Sequence, residues 1–174
     1  DYRSTAPASA KFAGRPPDTG HAAAAVPGTV AGLTLALTKY GTRPLAEVVA
    51  PAIRIADEGF LASATLAGVV TENFAAIVEN PELSAIFAPE GLPLEAGARV
   101  RNGELAATLR AIAAGGADVF YKGEIAQRLA EASAAGGGFI SRDDLAGYRA
   151  IEREPVRGTY RSHEIVSAPP PVAG

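Results

Sequence analysis

VPGTVAGLTLALTKYGTRPLAEVVAPAIRIADEG, residues 26–59, reads as two helices in succession and sets the character of the fold. Its first half opens on Pro27, near a helix start, where a missing N–H costs little. Val30, Leu33, Leu37 and Tyr40 follow at helical spacing. Gly41 is expected to end this helix as a residue able to take positive φ. Thr42 is the candidate cap of the next helix, with Pro44 early in it. Leu45, Val48, Val49, Ala52, Ile53 and Ala56 make its apolar stripe, and Gly59 closes it. Pro51 falls inside that stripe, so a kink or a split is expected there.

Working toward the C-terminus, a third helix is expected from Ser63 to Val78, with Leu66, Val69, Val70, Phe74 and Ile77 inward. Asn80-Pro81 starts a turn. Residues 81–103 are rich in Pro and Gly and read as irregular, with short strand pieces near Ile86-Phe87 and Arg99-Val100. A short helix over 104–114 carries Leu105, Leu109 and Ile112, and Gly115-Gly116 breaks it. Ala117 to Tyr121 reads as one helical turn. Gly123 to Ala135 reads as another helix, with Ile125, Leu129 and Ala132 inward, and Gly136-Gly137-Gly138 ends it. Ser141 can cap a further short helix, with Asp144 three residues on in the capping-box position. Beyond Ala150 the pattern changes. Pro155 to Arg161 and His163 to Ser167 read as two strands around a turn.

On the N-terminal side, residues 1–10 alternate weakly and read as extended, and 11–20 form a loop. The fold class is therefore α+β. A mostly helical lobe over about 27–148 is flanked by strand-like ends at 1–10 and 150–168. Such ends are orphan edges unless a sheet elsewhere receives them. With an opening Asp1 in place of Met and a closing PPPVAG, the chain is expected to be a section of a longer protein.

Composition narrows the function. Hydrophobic residues make up 48% and charged residues 20% of the 174, an ordinary globular balance. A net charge of -3, with Lys and Arg scattered, gives no basic face for nucleic acid. With no cysteine there is no disulfide, zinc–thiolate site or cysteine nucleophile. The two histidines, His21 and His163, lie far apart, so no metal or other cofactor is expected. The most apolar stretch, Ala22 to Leu37, is interrupted by Pro27, Gly28 and Gly32. It is shorter than the ~20 residues of a membrane span.

The candidate chemistry is sparse. Gly136-Gly137-Gly138 lacks the Lys-Ser/Thr of a phosphate loop and reads as a helix stop. Asp143-Asp144 falls in a first helical turn, where negative charge is favoured. Asp57-Glu58 closes a helix on a solvent face and is given no catalytic role, and Glu152 and Glu154 are a further carboxylate pair that could in principle do acid–base work. No serine has an elbow motif. Ser162-His163 would point to opposite sides of a strand and makes a poor dyad. Arg3, in DYRSTAP at 1–7, remains. Its guanidinium, with Pro7 fixing the exit of the segment, could pair bidentately with a carboxylate, though a surface arginine is the commoner reading.

DYRSTAP resembles the Arg-x-x-Ala-Pro motif of the gamma-glutamyltranspeptidase family. PGTVAG at 27–32, YGTRPL at 40–45 with Pro51-Ala52, FYKGEIA at 120–126, DDLAGY at 143–148, PVRGTYR at 155–161 and SAPPP at 167–171 resemble further segments of that family, in order. The resemblance implies an Ntn hydrolase with an αββα sandwich, made as one chain and cut autocatalytically into a large and a small subunit. The new N-terminal Thr of the small subunit would attack the gamma-glutamyl donor and pass the acyl group to water or an amine. It implies that residues 1–174 are an internal section of the large subunit. Arg3 would bind the α-carboxylate of a glutathione-like donor. No catalytic residue is expected in this chain, which alone should be inactive. The implied partner is the small subunit, and the implied location is periplasmic or extracellular. Two departures stand out: Val172-Ala173-Gly174 follows the prolines where the family continues Ser-Ser-Gly-Gly, and Ser4 stands where Glu is usual. They leave room for a cephalosporin-acylase-like amidohydrolase. A non-catalytic helical interaction module is the alternative from another class.

Overall fold

A computed structural model describes residues 19–169. It is a mixture of helices and small antiparallel sheets, divided into two compact units. Among the described residues, unit 1 comprises 19–41 and 117–169, and unit 2 comprises Thr42–Gly116. Arg3, the extended stretch expected at 1–10 and most of the 11–20 loop lie outside the described residues.

The first elements of unit 1 among the described residues are a short 3-10 turn at His21–Ala23 and the helix α1, Thr29–Tyr40. Gly41 ends α1 as expected in position but not in conformation. Its φ is -79, and a Cβ there would overlap the Leu37 carbonyl and side chain. Close approach, and not left-handed backbone, explains the glycine.

Unit 2 opens with α2, Leu45–Glu58. Pro44, in extended conformation, is its N-cap; Thr42 is not the cap. The helix runs through Pro51 and is not split. Proline there removes one bond, to the Glu47 carbonyl, and Glu47 is exposed, so water can take that acceptor. Gly59 closes α2 at φ 83 and ψ 169, an extended positive-φ conformation essentially reserved for glycine.

The helix expected over 63–78 is two helices, α3 (Ala64–Glu72) and α4 (Phe74–Glu79). Ser63 caps α3, accepting from Leu66 N–H at 3.1 Å. Asn73 breaks the run because its side chain donates back to the Val69 carbonyl at 2.8 Å. Val70 and Ile77 are buried as expected, but Val69 is 50% exposed. The strand expected at Ile86-Phe87 is instead the end of α5, Pro81–Phe87. Asn80 caps it at Leu83 N–H, with Pro81 in the first helical position. The strand at Arg99–Val100 (β2) does form. It pairs antiparallel with Phe60–Leu61 (β1). The core of unit 2 is Ala62, Val70, Ile77, Ala88, Leu94 and Val100.

The helical run α6, Gly103–Tyr121, is broken at Gly116 (φ 69, ψ -162). It buries Ala106 and Ile112, while Leu105, expected inward, is largely exposed. The single turn at Ala117–Tyr121 and the helices α7 (Glu124–Ala135) and α8 (Arg142–Gly147) return the chain to unit 1. In α7 the buried positions are Ala126 and Ser133, so Ala132 does not face inward. Ser141 and Asp144 form the expected capping box at the start of α8.

The two strands β3 (Val156–Tyr160) and β4 (His163–Ser167) form a hairpin with Tyr160 opposite His163. Arg157 and Glu164 pair at 2.6 Å across it. Arg161 and Ser162 make the turn at φ 45 and 67. Both values match the mirror-image type I turn that suits hairpin twist. Ser162 is therefore in the turn and not on a strand, and His163 Nδ1 lies 2.9 Å from the Arg161 carbonyl oxygen. Left-handed backbone costs a non-glycine residue roughly 1 kcal/mol or more. Replacing Arg161-Ser162 with Asn-Gly should raise stability by about 1 kcal/mol, read as a higher urea midpoint. An unchanged or lower midpoint would mean that these side chains earn their place through contacts.

Candidate functional site

The start of α1 shows how unit 1 holds its conspicuous sequence segments together. Its N-cap is Gly28, which has no side chain to satisfy the first helical N–H groups. A tyrosine from the other end of the unit does so. Ala31 N–H donates to the Tyr121 hydroxyl at 3.1 Å, and that hydroxyl donates to the Pro27 carbonyl at 2.6 Å. The Tyr148 ring stacks on Tyr121, with centroids 5.6 Å apart and planes 11° from parallel. Phe120 meets Tyr121 edge-on at 4.9 Å. A side chain on Gly28 would collide with the Tyr148 hydroxyl, its Cβ lying only 2.9 Å from the Tyr148 Cζ. Leu145, fully buried, joins Val26, Tyr121 and Ala126 beneath.

Burial pushes the Tyr121 phenol above its usual pKa, partly offset by the bond from Ala31 N–H and reinforced by Tyr148. The phenol therefore keeps its proton and its role as donor to Pro27. Tyr121→Phe removes both bonds and leaves a half-buried N–H without its partner. The expected loss is about 1–3 kcal/mol of stability, measured by denaturant unfolding. A loss under about 0.3 kcal/mol would show that water replaces the hydroxyl freely.

Other polar groups are engaged in local structure. Ser133 accepts from Ile140 N–H at 3.0 Å, and Ser63 and Ser141 are helix caps. The Gly136-Gly137-Gly138 stop is packed around a histidine: a Cβ on Gly136 would fall within the His21 ring. Asp57 pairs with Arg110 at 2.5 Å, and Lys39 with Glu152 at 2.5 Å, which raises the Lys39 pKa. Asp143 and Asp144 lie in the first turn of α8. An open cavity of about 360 Å³ in unit 1 is lined by Thr34, Thr38, Asp118, Lys122, Tyr121 and Arg149, among others. Lys122 pairs with Asp118 at 2.8 Å, and Arg149 donates to the Ala146 and Tyr148 carbonyls. Among the described residues, no cluster of His, Asp and Glu is placed to hold a metal ion, and no helix is long and apolar enough to cross a membrane.

The sequence model of the gamma-glutamyltranspeptidase family matches residues 1–174. The chain belongs to the gamma-glutamyltranspeptidase family. It is 45% identical over 157 residues to the glutathione hydrolase proenzyme of Escherichia coli strain K12, covering 90% of this chain and 27% of that protein. It is 44% identical over 152 residues to the acylase ACY 1 proenzyme of Pseudomonas sp. strain SE83, covering 87% of this chain and 27% of that one. The crystal structure of Helicobacter pylori gamma-glutamyltranspeptidase superposes with a TM-score of 0.84 at 36% identity, over 88% of this chain and 44% of that one. The chain thus spans about a quarter of the length of these curated relatives.

Within this chain, PGTVAG, FYKGEIA and DDLAGY meet in one cluster through Pro27, Gly28, Ala31, Tyr121 and Tyr148. Sequence reading singled out all three segments but not their contact. The available signal was a glycine in one segment and aromatics in the other two.

Proposed function

We propose that this chain is an internal section of the large subunit of a gamma-glutamyltransferase or glutathione hydrolase, with Arg3 as its contribution to the donor site. The observation that carries this reading is the family match along the whole chain, including Arg-Ser-Thr-Ala-Pro at 3–7. A fixed guanidinium fork suits the α-carboxylate of a gamma-glutamyl donor. The nucleophile, an N-terminal Thr, and the oxyanion donors belong to the small subunit of the same precursor. The chain alone is inactive. Glutathione or a related amide supplies the acyl group, and water or an amine accepts it.

The same reading puts β3 and β4 into the sheets of an αββα sandwich. Both faces of the hairpin are exposed, with Val156, Tyr160 and Ile165 on one side in register. In the full-length protein, amide hydrogens of 156–167 should exchange at least ten times more slowly than in this chain alone. Equal rates would remove the hairpin from the sandwich.

A second reading has its own support. The Pseudomonas acylase proenzyme is as similar as the E. coli glutathione hydrolase proenzyme, at 44% against 45%. The parent is then a cephalosporin-acylase-like amidohydrolase of the same family. A carboxylate-bearing acyl chain would still pair with Arg3. Hydrolysis rates of the full-length enzyme on a gamma-glutamyl anilide and on a glutaryl amide separate the two.

A further inference from the structure

We propose that residues 42–116 form an inserted unit that folds and unfolds as a cooperative element of its own, leaving unit 1 intact. The first ground is that each unit has a separate apolar core. Ala62, Val70, Ile77, Ala88, Leu94 and Val100 cluster inside unit 2. Val26, Tyr121, Ala126 and Leu145 cluster inside unit 1. Buried apolar surface is the main source of cooperativity, so two cores define two candidate units of opening.

The second ground is the pair of junctions. The chain leaves unit 1 at Gly41 and returns after Gly116. Gly116 has φ 69 and ψ -162, a region essentially closed to residues with a side chain. The helical run Gly103–Tyr121 is therefore interrupted at the unit boundary, so helix propagation does not couple the two cores there. The third ground is the spacing of the two connections. Thr38, just before the exit, and Ala117, at the return, line the same cavity of unit 1. A segment whose ends leave from neighbouring points is the arrangement tolerated in domain insertion. Unit 2 is also well above the ~40 residues below which a core rarely suffices.

The sequence carries its own probe. Tyr40, Tyr121, Tyr148 and Tyr160 fall in unit 1, the fifth tyrosine, Tyr2, lies outside the described residues, none lies within 42–116, and there is no tryptophan. Tyrosine fluorescence therefore reports unit 1 alone, while circular dichroism at helical wavelengths reports both units. Urea titrations of the 174-residue chain by both signals are compared for wild type, Ile77→Ala, Ile77→Val and Leu145→Ala. The proposal expects both Ile77 variants to lower the midpoint of part of the helical signal while the tyrosine midpoint stays in place. It expects Leu145→Ala to do the reverse. If Ile77→Ala unfolds unit 2 outright, helical signal is lost at zero urea and the tyrosine transition survives unshifted. A tyrosine midpoint that moves with Ile77→Val, or a tyrosine transition abolished by Ile77→Ala, overturns the proposal.

Discussion

Arg3→Ala in the full-length precursor, after autocatalytic cleavage, is expected to raise KM for a gamma-glutamyl anilide by roughly ten- to a hundredfold, with kcat changed far less. The range follows from losing a charge-assisted bidentate contact, about 1.5–3 kcal/mol. The α-carboxylate lies away from the bond that breaks. Its partner binds ground state and transition state alike, which raises KM without lowering kcat. Arg3→Lys keeps the charge but loses the fork and should fall between wild type and alanine. A donor whose α-carboxylate is amidated supplies the control: it should bind poorly to wild type and lose nothing further in Arg3→Ala. An Arg3→Ala enzyme with unchanged KM for the free-carboxylate donor would take Arg3 out of the site. Subunit formation must be checked by gel in each variant, so that a processing defect is not read as a binding one.

The boundaries of elements were legible in sequence wherever one residue dominated. Pro27 and Gly41 bracket α1, Gly59 closes α2, and Ser141 with Asp144 starts α8. The failures arose where a short polar side chain competed with the backbone. Asn73 read as one more helical position, yet its amide turns back to the Val69 carbonyl and divides the helix. Asn80-Pro81 read as a turn, although the same pair is a cap followed by a first-turn proline and starts α5. Inward faces were harder than boundaries. Val69, Leu105 and Ala132 are apolar at plausible helical positions, yet Val70, Ala106 and Ser133 beside them are the buried ones. Small residues bury as readily as large ones when a neighbour packs close, and periodicity among mostly apolar residues sets the phase of a helix only weakly. The motif segments could be picked out singly, but no local pattern announces that Tyr121 caps a helix 90 residues away.

Leu145→Ala should be the most damaging single truncation in unit 1, costing about 2–5 kcal/mol and toward the upper part of that range. Leu145 is 0% exposed, and its environment is poorly able to collapse into the space left behind. Tyr121 is held from above by its bonds to Pro27 and Ala31, Tyr148 is held against it by stacking, and Ala126 has no atoms to extend. The backbone of α8 is fixed at its start by the Ser141–Asp144 box. A rigid wall on each side means that the lost methyl groups leave a cavity and not a repacked core. Leu33→Ala on α1, in the same unit, is the matched comparison. At 67% exposure it gives up little buried surface and should cost under about 1 kcal/mol. Urea midpoints of the tyrosine transition, at constant m, separate the two. If Leu33→Ala proved the costlier change, the buried centre of unit 1 would not be where Leu145, Tyr121 and Ala126 meet.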